Sequence, residues 1–235
     1  MINYFTYDGT PSRDFGVYIS GHHTFNSSVR AYNLISVAGK NGDDVGIEKR
    51  LQNVTLIYDA FIIRNFEHNA EGLRNFLLSK FGYKCLVDTY HPDEFRLAVL
   101  DSPIEFSTTQ NNRAASFQLA FNCKPQRFLF SGEQVQTFTA SGTIENPTLF
   151  ASKPLLRAYG TGTLGIGNMT ITINSANEYT DIDCEIMEAY KGGVSCNGNI
   201  TINGKDFPTL PAGTSSLSLS SGITRVDITP RWYIL

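Results

Sequence analysis

Residues 200–235 read ITINGKDFPTLPAGTSSLSLSSGITRVDITPRWYIL. Short runs of alternating apolar and polar residues are separated here by turn signals at 203–204, 208–213 and 221–222. Such alternation between turns is typical of β-strands that have one buried face. The last four residues, 232–235, are aromatic or aliphatic. Because a chain end frays unless packing holds it, we expect this apolar end to be docked.

The same alternation extends upstream to about residue 132, and no helical period interrupts it. The predicted strands are 135–139, 154–159, 168–174, 181–187, 199–203, 215–219 and 223–229. The segments 167–174 and 198–204 resemble each other. We interpret them as two hairpin strands with the same alternation of apolar and polar residues rather than as a true repeat. Seven or eight strands at this spacing predict an antiparallel β-sandwich. We therefore place a second domain at 131–235.

The first half, residues 1–130, is mixed. Further strands are predicted at 15–19, 95–99, 104–106 and 116–122, the last closed by Pro125 because proline cannot donate to a ladder. A single helix is predicted, in which Asn69 is the N-cap, an apolar stripe faces a sheet and Gly82 ends the helix. The stripe consists of Leu73, Phe76, Leu77 and Phe81.

The segment 54–63 is apolar on both faces of a strand. Val54, Leu56, Tyr58 and Ile62 share one face, whereas Ile57, Phe61 and Ile63 share the other. A strand with two apolar faces is buried on both. We therefore expect another surface to cover the face that carries Ile57, Phe61 and Ile63.

Composition excludes several classes of protein. Charged residues make up 17% of the chain, fewer than the roughly 25% of ordinary soluble domains. A net charge of −3 provides no excess of positive charge for binding the phosphates of nucleic acid. No segment is long and apolar enough to span a bilayer, and residues 1–20 lack a signal-peptide pattern. We expect the chain to be made and kept in a reducing cytoplasm.

The cysteines indicate neither a zinc site nor a disulfide framework. Cys85, Cys123, Cys184 and Cys196 are far apart and form no CxxC pair. Cys123 continues an apolar strand face, and Cys184 lies between two isoleucines, so both are interpreted as small core residues.

Two constellations could carry chemistry, and each also has a structural interpretation. Asp181, Asp183 and Glu185 could form a glycosidase dyad, which needs two carboxyl groups and one raised pKa. Alternation alone places such carboxylates on any solvated strand face, and we favour that interpretation. His22 and His23 could bind a metal, but neighbouring strand residues point to opposite faces.

The glycine-rich loop at 39–46 does not match a phosphate-binding loop. It is not followed by Lys-Ser/Thr and carries Asp43 and Asp44, which would repel phosphate. We therefore predict no catalytic residues, no metal and no cofactor.

Eight segments, in order along the chain, resemble bacteriophage distal tail proteins, which are hubs in the long non-contractile tails of Gram-positive phages and prophages. The segments are SRDFGV (12–17), VAGKNGD (37–43), GYKCLVD (82–88), FQLAFNCKP (117–125), YGTG (159–162), DID (181–183), FPTLPAG (207–213) and ITPRW (228–232). One departure is that residues 38–42 read Ala-Gly-Lys-Asn-Gly where Pro-Gly-Arg-Asn-Gly is expected.

The resemblance implies a mainly β fold. Residues 1–130 would be a β-sandwich or split barrel with one helix that forms a hexameric ring around a channel. Residues 131–235 would be a galectin-like β-sandwich outside the ring. Such a hub, alone or as two stacked rings, joins the tail tube to the tip or baseplate and carries receptor-binding components. DNA passes through the channel without specific binding.

From these implications we expect a structural virion protein with no enzymatic activity and no membrane insertion, assembled in the cytoplasm of the bacterial host. The candidate ring interface comprises Asn41, Asp43, Ile57, Phe61 and Ile63, and Trp232 is the candidate packing anchor of the C-terminal domain. The alternatives are a carbohydrate-binding module that aids adsorption and a wall-degrading enzyme. Sugar binding of the galectin type relies on an exposed Trp, and the single Trp of this chain lies inside an apolar run.

Overall fold

The structure is a computed structural model that describes residues 2–20, 26–109, 111–176, 178–204 and 206–235, without the side chains of Ile47 and Lys49. The chain divides into two compact units, Met1–Arg127 with Leu235, and Phe128–Ile234. Both units are built mainly of antiparallel strands, which confirms the predicted mainly β fold. No described helix has the length and apolar character that crossing a bilayer requires.

The first unit contains ten strands and one α-helix among the described residues. They are β1 (Phe5–Tyr7), β2 (Thr10–Pro11), β3 (Val17–Ser20), β4 (Arg30–Ser36), β5 (Asp43–Leu51), β6 (Val54–Ile62), α1 (Phe66–Leu78), β7 (Lys84–Asp88), β8 (Glu94–Leu100), β9 (Ser107–Thr109) and β10 (Ala114–Leu129).

One sheet forms the body of the first unit, in the order β2-β1-β7-β8-β10-β6-β3, with β9 also pairing with β10. An aromatic cluster lies at the centre of its core. Phe5 stacks on Tyr58 with ring centroids 5.6 Å apart, and Tyr7 meets Phe121 at 5.3 Å. Large rings bury much apolar area and pack in such offset or tilted pairs. The sheet therefore has one mainly apolar face.

A buried polar network holds the middle of β6. The Tyr58 hydroxyl donates a hydrogen bond to Asp88 Oδ2 at 2.8 Å, and Asp88 Oδ1 accepts the backbone N–H groups of Tyr90 and His91. Burial, followed by the Asp88 charge, raises the pKa of Tyr58 well above its ordinary value. Because each buried polar group has a partner, the network costs little and fixes this part of the sheet.

The helix begins earlier in the chain than the sequence predicted. Asn65, with φ of 50°, precedes α1, whereas Asn69 lies inside the helix and donates its side-chain N–H to the Arg64 carbonyl. The predictions of Asn69 as N-cap and of Gly82 as the helix end were both wrong, since α1 ends at Leu78 with Ser79 as its C-cap. Leu73 and Leu77 are buried as predicted, but Phe81 lies beyond the helix and is 87% exposed.

Two further details of the first unit differ from the prediction. Residues 104–106 are not a strand, and β10 continues through Pro125 to Leu129. The ladder between β10 and β6 ends at the pair Cys123 and Val54. Beyond that pair no donor from β10 to β6 is needed, so the strand tolerates a proline.

The second unit is a sandwich of two antiparallel sheets. Its strands are β11 (Gln136–Phe138), β12 (Gly142–Asn146), β13 (Leu155–Gly160), β14 (Gly162–Ile166), β15 (Met169–Ile173), β16 (Tyr179–Asp183), β17 (Glu188–Lys191), β18 (Val194–Ser195), β19 (Ile200–Asn203), β20 (Gly213–Leu219), β21 (Ile223–Thr229) and β22 (Tyr233–Ile234). One sheet has the order β11-β21-β13-β16-β17-β18 and the other β12-β20-β14-β15-β19, while β22 pairs with the end of β10.

The similar segments noted in the sequence lie side by side in this sandwich. β15 and β19 are antiparallel neighbours, with Ile171 opposite Ile202 and Ile173 opposite Ile200. Their likeness therefore reflects two paired strands that obey one alternation rule. The sandwich also contains β12, β14, β17 and β18, which the sequence did not predict.

Candidate subunit interface

The outer face of β6 is only partly covered within one chain. Val54, Leu56, Tyr58 and Ile62 point into the core as predicted, each at most 5% exposed. On the other face Ile57 and Phe61 are half-buried, and Ile63, just after the strand, is 50% exposed. Phe61 packs against Tyr18 of β3, with ring centroids 6.0 Å apart. The second apolar face therefore exists, and the chain itself leaves it half open.

β4 and β5 form a separate hairpin, Arg30–Leu51, that contains the glycine-rich segment. The predicted loop at 39–46 is in fact a shorter turn, because β5 already begins at Asp43. Gly39 and Gly42 have φ of 83° and 80°, a left-handed conformation that glycine adopts without strain. Asn41 and Asp43 are exposed at this turn, and Lys40 pairs with Asp44.

The hairpin has two different faces. Leu34 lies opposite Val45, and Tyr32 lies opposite Ile47. Directly opposed residues share a face, so Tyr32, Leu34 and Val45 form its apolar face, at 53%, 62% and 53% exposure. The opposite face carries Asn33, Ile35, Asp44 and Glu48 and is called the polar face below.

In the described part of the chain, β4 and β5 hydrogen-bond to each other and to no further strand. Sequence reasoning missed the apolar face entirely. The signal in the sequence was an apolar residue at every second position on both sides of a Gly-Lys-Asn-Gly turn. These residues are Tyr32 and Leu34 before the turn and Val45 and Ile47 after it. A two-stranded hairpin is marginally stable by itself in water. Its exposed apolar face therefore indicates that another surface covers it.

A groove of about 570 Å³ lies on the outer face of the main sheet of the first unit. Its floor is formed by β6 and β10 and its wall by residues 102–107. Ile57 and Ala120 contribute apolar surface, whereas Phe117 points into the core and is 6% exposed. Asp59 and Glu105 contribute carboxylates, and Asp59 Oδ1 accepts a hydrogen bond from Gln118 Nε2 at 2.8 Å. No residue of the hairpin lines this groove among those that the structure describes.

In the second unit, Trp232 lies in the core cluster with 3% exposure. A Cβ at Gly132 would overlap the backbone of Trp232, so only glycine lets the two segments approach this closely. Leu129 N donates to the Trp232 carbonyl, and Arg231 N donates to the Gly132 carbonyl. The indole is thus inaccessible to a ligand, and it offers no platform for sugar binding of the galectin type.

The carboxylates of the candidate catalytic dyad are engaged in ion pairs. Asp181 accepts from Arg157 at 2.6 Å, and Asp183 accepts a bidentate pair from Arg231 at 2.7 and 2.9 Å. Burial by itself would raise the pKa of Asp183, but the Arg231 and Glu185 hydrogen bonds lower it below its ordinary value. A glycosidase acid needs a raised pKa, so this arrangement favours a structural role. The expected solvated strand face was wrong, because Asp181 and Asp183 are 4% and 6% exposed and Glu185 lies beyond the end of β16.

Two cysteines were assigned to the core from the sequence, and two histidines were considered as metal ligands. Cys123 and Cys184 are buried as predicted, and burial raises the pKa of each thiol to about 12. His22 and His23 lie outside the described residues. Within the described ranges there is no group of three or more His, Cys, Asp or Glu side chains that could hold a metal ion.

The fold has known counterparts among phage tail structures. The crystal structure of SPP1 Dit (gp 19.1), described as a paradigm of the hub adsorption apparatus in phages that infect Gram-positive bacteria, matches over 100% of both chains at 15% identity and a TM-score of 0.71. Two structures of the phage p2 baseplate in its activated conformation, with Ca and with Sr, match over 97% of each chain at 10% identity and TM-scores of 0.52 and 0.54.

No protein-family model matches the chain, and no curated protein sequence does. At these identities the likeness shows the fold: the chain has the fold of phage hub and baseplate proteins from end to end.

Proposed function

We propose that this protein is a distal tail protein of a siphophage or prophage. In this role it forms a hexameric hub at the end of the tail, joining the tail tube to the tip or baseplate. The observation that carries the proposal is the fold match to SPP1 Dit over the full length of both chains. The exposed hairpin and the half-open face of β6 support it, because a structural ring component needs such surfaces.

The geometry of a closed ring agrees with the two unpartnered surfaces. A cyclic hexamer uses a heterologous interface, in which one patch of each copy meets a different patch of the next. The turn of the hairpin, with Asn41 and Asp43, and the outer face of β6, with Ile57, Phe61 and Ile63, are the proposed ring interface. All five residues belong to the first unit.

The two units have different proposed roles. Residues 1–130 build the ring, and residues 131–235 form a galectin-like sandwich outside it that serves as a platform for receptor-binding or baseplate proteins. The tail tube protein and a tail-tip protein contact the ring, and DNA passes through its channel. The role is structural and not enzymatic, and its place is the tail tip of the virion, after assembly in the host cytoplasm.

The mass of the purified protein in solution tests the proposal directly. We expect light scattering to give the mass of six chains, or of twelve if two rings stack, and negative-stain images to show a ring with a central hole. A monomer or a dimer at all accessible concentrations would rule out the hub assignment.

Phe61→Asp is expected to abolish the ring. The substitution places a carboxylate, without a compensating cation, on the half-buried outer face of β6. Burying an unpaired charge in an interface costs several kcal/mol, so light scattering should give monomers. Phe61→Leu is the matched control, because it keeps an apolar side chain at the same position and should still form rings. A stable hexamer of Phe61→Asp would show that this face lies outside the ring interface.

The channel is expected to be neutral to acidic, so that DNA passes without being retained. The net charge of −3 motivates this expectation. On the hairpin, Asp44 pairs with Lys40 and Glu48 pairs with Arg50, so these carboxylates offset the positive charge there. Rings should therefore fail to retain single-stranded DNA in a gel-shift assay at low salt, where phosphate contacts are strongest.

Glu48→Lys should introduce DNA retention that disappears as salt is raised, since each added cation offers a phosphate contact. Glu71→Lys on α1 makes the same charge change at an exposed helix position and is the control. A wild-type lumen that maps as strongly positive, or equal retention by the two variants, would contradict the acidic channel.

A further inference from the structure

We propose that the apolar face of the hairpin of one copy docks into the groove between β6, β10 and residues 102–107 of the next copy. This inference rests on the proposed ring and specifies which two surfaces form its contact. The occupant is a second copy of this chain. Both surfaces are defined by residues of the first unit.

The first step is the state of the hairpin in a single chain. Its two strands bond to each other alone in the described structure, so both outer edges keep unpaired N–H and C=O groups. Tyr32, Leu34 and Val45 are more than half exposed on one face. Exposed strand edges and clustered apolar side chains together favour association with another chain.

The second step is the match between the apolar face and the groove. The groove presents apolar surface from Ile57 and Ala120 on the outer face of β6 and β10, beside the exposed polar side chains of Ser116 and Gln118. A β-hairpin that lies across this floor would cover the second apolar face of β6, as the two-faced pattern of that strand requires. The same contact would bury the apolar face of the hairpin, so one interface accounts for both exposed surfaces.

The third step is charge. Among the described residues, Asp59 and Glu105 of the groove form no ion pair with a cation. Arg30, which is exposed at the base of the hairpin, likewise forms no ion pair with a described anion, while Arg50 beside it pairs with Glu48. At the turn Asp43 has no ion pair within the described chain, while Asp44 pairs with Lys40. Complementary charge of this kind fixes orientation and partner choice more than affinity. It directs the base of the hairpin toward the acidic wall of the groove.

The fourth step explains why the contact propagates into a ring. Only Gln52 and Asn53 separate β5 from β6, so every copy carries the hairpin and the groove as directly connected parts. A patch that meets a different patch on the next copy forms a closed cycle when the rotation between copies is an integral fraction of a turn.

Engineered cysteine pairs test this contact. Leu34→Cys places a thiol on the apolar face of the hairpin, and Ser116→Cys places one at an exposed position of β10 in the groove. After oxidation of the full-length double variant, we expect a non-reducing gel to show a ladder from dimer to hexamer. A disulfide forms only when the two Cβ atoms come within about 4.5 Å, so the ladder reports the contact itself.

The matched control is Ile35→Cys combined with Ser116→Cys. Ile35 is one residue away, 49% exposed and on the opposite face of the hairpin, so this pair should give no ladder. Each single variant shows the background from the four native cysteines. Leu34→Cys with Ser102→Cys samples the wall of the groove as a second position.

Each outcome has a defined meaning. Rings by light scattering, with no ladder from either Leu34→Cys pair, would overturn the hairpin contact and leave the proposed function standing. A ladder from the Ile35→Cys pair alone would overturn the assignment of the apolar face. A wild-type protein that forms no ring would contradict the proposed function itself, together with this contact.

Discussion

Trp232→Ala is expected to lower the free energy of unfolding of the second unit by about 3–5 kcal/mol, the usual cost of deleting a large buried aromatic side chain. Trp232 is 3% exposed and packs in the core cluster of that unit, against the segment that contains Gly132. The approach of the two backbones leaves little room for the surroundings to collapse into the cavity. The loss should therefore fall at the upper end of this range.

Calorimetry and circular dichroism are the appropriate measurements, because Trp232 is the single tryptophan of the chain and its fluorescence is lost in the variant. Leu149→Ala is the control. Leu149 belongs to the same unit but is 87% exposed, so its truncation should change stability by less than about 0.5 kcal/mol. Equal effects of the two substitutions would show that Trp232 does not anchor the C-terminal segment.

Asp183→Ala is expected to destabilise the second unit by about 3 kcal/mol, because removing one partner of a buried ion pair leaves the other charge uncompensated. The Asp183 side chain is 9% exposed and that of Arg231 is 24% exposed. Glu178→Ala is the control, since Glu178 pairs with Lys191 but is 76% exposed. Exposed pairs contribute about 0–1 kcal/mol. Urea unfolding of the full chain at neutral pH compares the two variants.

The same pair gives an expected pH dependence. The folded state lowers the pKa of Asp183 relative to its ordinary value of 3.8, so the ion pair contributes fully above that value. The contribution is lost as the pH falls through the lower pKa of the folded state. Asp183→Asn should therefore flatten the acid limb of the stability profile below about pH 4. An unchanged acid limb would contradict the role of Asp183 in acid stability.

The local alternation of apolar and polar residues was sufficient to predict the strands that have one buried face. The alternation of Val54, Leu56, Tyr58 and Ile62 identified β6 and its inner face, and each of these side chains is buried. Cys123 and Cys184 were assigned to the core from their apolar neighbours alone. Such assignments succeed because side-chain direction in a strand has a period of two that tertiary contacts do not change.

The sequence did not show which distant segments pair as neighbouring strands. Pro125 was taken as the end of a strand, but β10 continues because its ladder with β6 ends at Cys123. Residues 39–46 were predicted as a loop because the Gly-Lys-Asn-Gly turn is conspicuous, whereas the structure starts β5 at Asp43. Asn69 was a plausible cap, and only the backbone at Asn65 showed where the helix begins.

The sequence by itself determined which residues could face inward along each strand, and it predicted a mixed first half and a β-sandwich second half. It also supplied the resemblance on which the proposed hub role began. Tertiary structure decided which partner each side chain received. Arg231 reaches Asp183 across 48 positions of sequence, and the carboxylate is therefore an ion-pair member with a lowered pKa. The physical reason is that alternation is a property of the local backbone, whereas charge pairing and uncovered surface depend on contacts between segments far apart in the chain.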